Sequence, residues 1–83
     1  MNILPQVTVV YDRRNSASVL KAAPVEIRVS YNYKQRYVNT GVKVLPKYWR
    51  NGKVVSLPDA GMKNMQINNI LLDVQQVIYE MSQ

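Results

Sequence analysis

The sequence predicts an α+β domain: a three-stranded antiparallel sheet packed on one C-terminal helix. Three observations predict it. In "VEIRVSYNYKQRYVNTGV", residues 25–42, Val25, Ile27, Val29 and Tyr31 alternate with Glu26, Arg28, Ser30 and Asn32, which is the period of a half-buried strand. Residues 7–12, "VTVVYD", are β-branched and aromatic, as strands prefer. From about Gly61 the period changes: Ile67, Ile70, Leu71, Val74, Val77, Ile78 and Met81 have partners three or four residues apart, the stripe of an amphipathic helix. The chain has 83 residues and is 47% hydrophobic, so residues 1–83 form a single small domain with a modest core.

The elements follow in order. Pro5 precedes the first strand, where its missing N–H does no harm. Residues 13–23, "RRNSASVLKAA", form a connection with room for one helical turn. Pro24 opens the second strand, residues 24–32, and residues 35–42 form its partner. With Tyr33 and Lys34 as turn residues, Asn32 faces Gln35, Tyr31 faces Arg36, Ser30 faces Tyr37, Val29 faces Val38, Arg28 faces Asn39 and Ile27 faces Thr40. Val25, Ile27, Val29, Val38 and Val42 then share one face. Glu26, Arg28, Ser30, Asn32, Gln35, Tyr37 and Asn39 share the other. Residues 46–53, "PKYWRNGK", begin with Pro at a first turn and end in Asn-Gly, a turn signal. Tyr48 and Trp49 are expected to lid the core, and Tyr11 to join it. Pro58 and Asp59 mark the helix start, with Asp59 as its cap. Leu72 and Tyr79 lie off the buried stripe and are expected to be exposed.

Composition excludes several functions. The chain has no Cys and no His, so a disulfide framework, thiolate metal sites and a histidine base are absent. Five carboxylates are scattered without a pairing that suggests acid–base work, and the three Gly are isolated, so no glycine-rich phosphate loop exists. The expectation is therefore a non-catalytic module without metal or cofactor. The start, "MNILPQVTVVYDRR", lacks a basic leader, and its apolar run is broken by Pro5 and Gln6, unlike a signal peptide. No apolar stretch reaches the ~20 residues of a membrane span. The sequence thus reads as soluble and cytoplasmic.

Charge suggests a partner. The net charge is +6; residues 1–53 carry ten basic and two acidic residues, and residues 54–83 one basic and three acidic. A basic front half points toward a polyanion. A solvated sheet face is ordinarily protected by mixed Lys and Glu. Here one acid, Glu26, stands among Arg28, Ser30, Asn32, Gln35, Tyr37 and Asn39. Arg forms bidentate pairs with guanine and Asn or Gln with adenine, and a ribbon of strands fits the major groove. Double-stranded DNA is accordingly the expected partner. Lys34, Arg36, Arg13 and Arg14 are placed to flank the reader on phosphates. Stacking on RNA bases needs exposed aromatics on adjacent strands, and only Tyr37 qualifies. A protein-interaction module, pairing through an open strand edge or the helix, is the alternative.

The segments "VYDRR", "PVEIRVSYNYKQRYVNTGVKVLPKYW", "NGKV" and "INNILLDVQQVI" together resemble the N-terminal arm-binding domain of tyrosine recombinases, in particular the integrases of Bacteroides-type conjugative transposons and phages. Pro24, Ile27, Arg28, Tyr37, Thr40, Gly41, Trp49, Asn69 and Leu72 occupy the places of that pattern, which spans nearly the whole chain. The resemblance implies a sheet that enters the major groove of arm-type sites and does not cut DNA, within a longer integrase acting in integration and excision. It also implies other recombinase protomers or accessory DNA-bending proteins as further partners. Two places differ from the usual pattern: the connection "NSASVLKAA" is longer than a short Asp-Gly turn, and Arg50 rather than an acid follows Trp49.

Overall fold

A computed structural model describes residues 5–81, with the side chain of Met81 left out. Residues 1–4, the beginning of the stretch read above against a signal peptide, and the Met81 position of the helix stripe therefore lie outside the described side chains. Strands β1 (Gln6–Tyr11), β2 (Ala23–Tyr31) and β3 (Lys34–Val44) form an antiparallel sheet in the order β1-β2-β3. A 3-10 turn, Pro46–Tyr48, leads to a small hairpin of β4 (Trp49–Arg50) and β5 (Lys53–Val54) around the Asn51-Gly52 turn. Helix α1, Ala60–Met81, closes the domain. This is the α+β architecture expected from the sequence.

The core lies between the helix and one sheet face. Val25, Ile27, Val42, Val44, Val54 and Ile67 are buried together, and Val7, Val9, Tyr11, Tyr48, Trp49, Leu57, Ile70, Leu71 and Val74 pack against them. Full burial of a side chain like Ile27 stabilises by about 1.5–3 kcal/mol. Tyr11 and Trp49 stack with ring centroids 5.1 Å apart, and the Tyr11 hydroxyl donates to the Val44 carbonyl at 2.7 Å. Burial, and next the Asp12 charge, push the Tyr11 phenol above its ordinary pKa. Helix and hairpin are joined by Asn64, whose amide both accepts from Val54 N–H at 2.8 Å and donates to the Val54 carbonyl at 2.9 Å. Val77 departs from the expected stripe: it is 53% exposed, while Val74 and Ile78 stay half-buried, so the covered stripe is narrower than the sequence pattern and Val77 lies at its side. Leu72 and Tyr79 are exposed as expected.

The β2–β3 register differs from the sequence reading by two residues. The pairs are Tyr31 with Lys34, Ser30 with Gln35, Val29 with Arg36, Arg28 with Tyr37, Ile27 with Val38 and Glu26 with Asn39. The turn residues are Asn32 and Tyr33, both at positive φ (53° and 65°), the geometry that matches strand twist in a two-residue hairpin. Asn32 is thus a turn residue and not part of the sheet face. A shift of two keeps every other side chain on its expected face. Between Glu26 and Pro24 the ladder slips: β2 advances two residues while β3 advances four, to Lys43.

Thr40 and Gly41 build this bulge. The buried Thr40 hydroxyl donates to the Val25 carbonyl at 2.7 Å and accepts from Val42 N–H at 3.2 Å. Gly41 has φ +81°, and a Cβ there would stand 2.8 Å from Gln66 Nε2. Gln66 Nε2 donates to the Thr40 carbonyl at 2.8 Å; the positive φ is what favours glycine at position 41, and a side chain there would also displace the Gln66 amide. The connection after β1 forms no helical turn. Asp12 (φ 52°) accepts from the N–H groups of Ser16 and Ala17, and Ser18 and Lys21 close a tight tip through two backbone hydrogen bonds. The local Asx-type bonds compete with a helix and win. Asp59 stands just before α1 and its carbonyl accepts from Lys63 N–H. Its carboxylate pairs with the Lys63 ammonium instead of capping backbone.

Candidate nucleic-acid interface

The face of the sheet away from α1 is a lattice of side chains. Strand period and register place Gln6, Ser30 and Gln35 in one row, Thr8, Arg28 and Tyr37 in the next, and Val10, Glu26 and Asn39 in the third. Past the bulge, Pro24 and Lys43 continue the face. Neighbouring strands lie about 4.8 Å apart, so each row spans roughly 10 Å of backbone and fits a major groove about 12 Å wide better than a minor groove about 6 Å wide.

Arg28 holds the centre of this lattice. It is half-buried between Thr8 and Tyr37, and no hydrogen bond or ion pair ties its guanidinium among the described residues. Tyr37 donates its hydroxyl to Gln35 Oε1 at 3.1 Å, which leaves the Gln35 NH2 as a donor. Asn39 Oδ1 accepts from Gly41 N–H at 2.8 Å, so the bulge fixes its orientation and its NH2 remains a donor. Ser30 lies between Gln6 and Gln35.

The basic residues fall into two groups. Lys34 and Arg36 are exposed on the edge strand β3 beside the turn; they pair with Tyr31 and Val29, hence on the helix-side face, with long stems able to reach around the edge. Arg14 is exposed in the connection at the opposite end. Arg13, read from sequence as a flanking residue, instead folds onto the lattice. Its Nε and Nη2 donate to Glu26 Oε1 and Oε2 at 3.3 and 3.4 Å, and its Cζ lies 3.9 Å from the Tyr37 ring centroid.

Sequence reasoning missed Gln6, Thr8 and Lys43 on this face. Gln6 and Thr8 had a signal, since they alternate with Val7 and Val9. Lys43 had the same signal, since it alternates with Val42 and Val44, and the two extra residues of the bulge leave that alternation in place. Among the described residues no group of three or more metal-ligating side chains could hold a metal, and no helix is long and apolar enough to cross a membrane.

A three-stranded sheet backed by one helix, with a donor-rich uncovered face, defines a small sheet-type recognition module. The family model described as "Arm DNA-binding domain" matches residues 10–83, and the chain belongs to that family of DNA-binding domains, the arm-type domains of recombinases. Such a domain is a non-catalytic module, and its partner is DNA. No curated protein and no solved structure matches the chain.

Proposed function

We propose that this domain reads arm-type sites on double-stranded DNA in a sequence-specific way, as the non-catalytic module of a tyrosine recombinase of a mobile element. Integration and excision by that parent protein would take place in the cytoplasm, with its catalytic tyrosine on another domain. The observation that carries this reading is the uncovered sheet face, with Arg28 at its centre and the uncommitted amide NH2 groups of Gln35 and Asn39 in the rows on either side. Arg28, Gln35, Asn39, Tyr37 and Ser30 contact bases. Lys34, Arg36 and Arg14 hold phosphates, and Asn32 approaches the duplex from the turn. Same-face residues along a strand are about 6.7 Å apart, close to two base-pair steps of about 3.4 Å. Three rows therefore cover roughly four to five base pairs. Other protomers and DNA-bending proteins complete the assembly, since one module of this size gains affinity by linkage.

The test is Arg28→Ala measured by fluorescence anisotropy, on a duplex selected from a randomised pool and on a mixed-sequence duplex. A loss of about 1–3 kcal/mol on the selected duplex, with little change on the mixed one, is expected. Equal affinity of variant and wild type for the selected duplex would refute the assignment. A protein-interaction role has one observation in its favour: Met62, Met65 and Leu72 are exposed along the outer side of α1. Salt separates the two readings, because DNA binding weakens steeply with salt and apolar docking does not.

A further inference from the structure

Arg13 and Glu26 form an arrangement that flanking phosphate contacts do not need. Glu26 is the acid of the lattice, and its side chain is only 12% exposed. Its two oxygens take the Nε–H and one Nη2–H of Arg13. A guanidinium has five N–H donors in a fixed fork. Three remain: both on Nη1 and the second on Nη2. Those on the Nη1/Nη2 edge form the fork that pairs with guanine O6 and N7. One flat side of the guanidinium rests on the Tyr37 ring, which fixes its plane. The Arg13 side chain is still 32% exposed.

We propose that Arg13 is a second base-reading arginine, held end-on toward the DNA by Glu26 and Tyr37, and that Glu26 is the positioning residue that buttresses it. This rests on the reading of the sheet face as a DNA reader. An acid on a DNA-facing surface opposes phosphate binding. Its presence there is explained when it orients an arginine and is neutralised by it. The flexible alternative, an Arg13 that swings out to a phosphate, would abandon both contacts.

The two roles differ in what a variant changes. Losing a base contact relaxes preference at one position and leaves the salt dependence alone. Losing a phosphate contact weakens binding to every sequence and lowers the salt slope by about 0.9. The experiment uses a randomised duplex pool, read by sequencing the bound fraction, and a mixed-sequence duplex titrated with salt. The proteins are wild type, Arg13→Lys, Glu26→Gln and Arg28→Ala, each checked for native thermal unfolding. Lysine keeps the charge of Arg13 and loses its fork. Arg13→Lys and Glu26→Gln are expected to relax preference for guanine at the same position by roughly 5- to 150-fold. Arg28→Ala should relax a different position, and Arg13→Lys should keep the wild-type salt slope.

If Arg28→Ala relaxes a position while Arg13→Lys and Glu26→Gln relax none, the buttress fails and the sheet reader stands. If Arg13→Lys and Glu26→Gln relax different positions, Glu26 does not act through Arg13. A wild-type protein that enriches no sequence removes the base-reading role of the sheet, and the buttress with it.

Discussion

The two faces of the sheet are built from the same three strands and differ in what completes them. On the helix side, Val25, Ile27 and Val42 are buried against Ile67, and the bulge hydrogen bonds of Thr40 and Gln66 satisfy the backbone where the ladder slips. On the other side, Arg28 has no tie among the described residues, and Gln35 and Asn39 each engage one oxygen while keeping an amide NH2 as a donor. The first face is complete within the chain. The second is chemically unfinished: the Gln35 and Asn39 amides are each oriented through one oxygen with an NH2 left over, and the Arg28 guanidinium is left for a partner, which is what a recognition surface needs.

Substitutions on the two faces should separate stability from binding. The largest effect is expected from Ile27→Ala, which empties a fully buried site and should cost about 2–5 kcal/mol of stability by urea denaturation. Thr40→Val keeps the shape but orphans the buried Val25 carbonyl; a loss of about 1–3 kcal/mol is expected in the same assay. A stability unchanged by either would mean that the helix side is not what holds the fold. The open face should behave in the reverse way: Arg28→Ala should alter stability by less than about 0.5 kcal/mol, with its effect appearing in DNA affinity. Lys34→Ala should weaken binding to all duplexes alike and lower the salt slope by about 0.9.

The smallest effect concerns Asp59, whose carboxyl is held below its ordinary pKa chiefly by the hydrogen bond from Lys63. A depressed folded-state pKa stabilises above the unfolded carboxylate pKa and is lost as pH falls through the folded value. Asp59→Asn should therefore lower the thermal midpoint slightly at neutral pH and leave it unchanged in strong acid. Because the pair is exposed, a large neutral-pH effect would contradict this weak, screened contribution.

Much of this division was legible in the sequence, for a definite reason. A strand alternates with period two, so even a register misplaced by two left Arg28, Gln35, Tyr37 and Asn39 on the uncovered side. The register itself was harder to read, because it depends on Tyr33 adopting positive φ, which tyrosine seldom does. Asn32 carried a usable hint, since asparagine tolerates that conformation. The bulge was marked by Thr40-Gly41, since Gly41 supplies the positive φ, but the partner that ties it to the helix, Gln66 on the Thr40 carbonyl, lies far along the chain. The place of Arg13 had no local signal at all. Its partners, Glu26 and Tyr37, lie on two other strands, and only the folded connection after β1 brings it to them. The expected helical turn in that connection failed because Asp12 bonds the following N–H groups.

The most direct measurement is an NMR titration of the isotope-labelled domain with a duplex selected from a randomised pool. Amide and side-chain shifts should concentrate on Thr8, Glu26, Arg28, Ser30, Gln35, Tyr37 and Asn39, with the outer side of α1 unmoved. Shifts gathered at Met62, Met65 and Leu72, with the lattice silent, would contradict a reader built on the open sheet face.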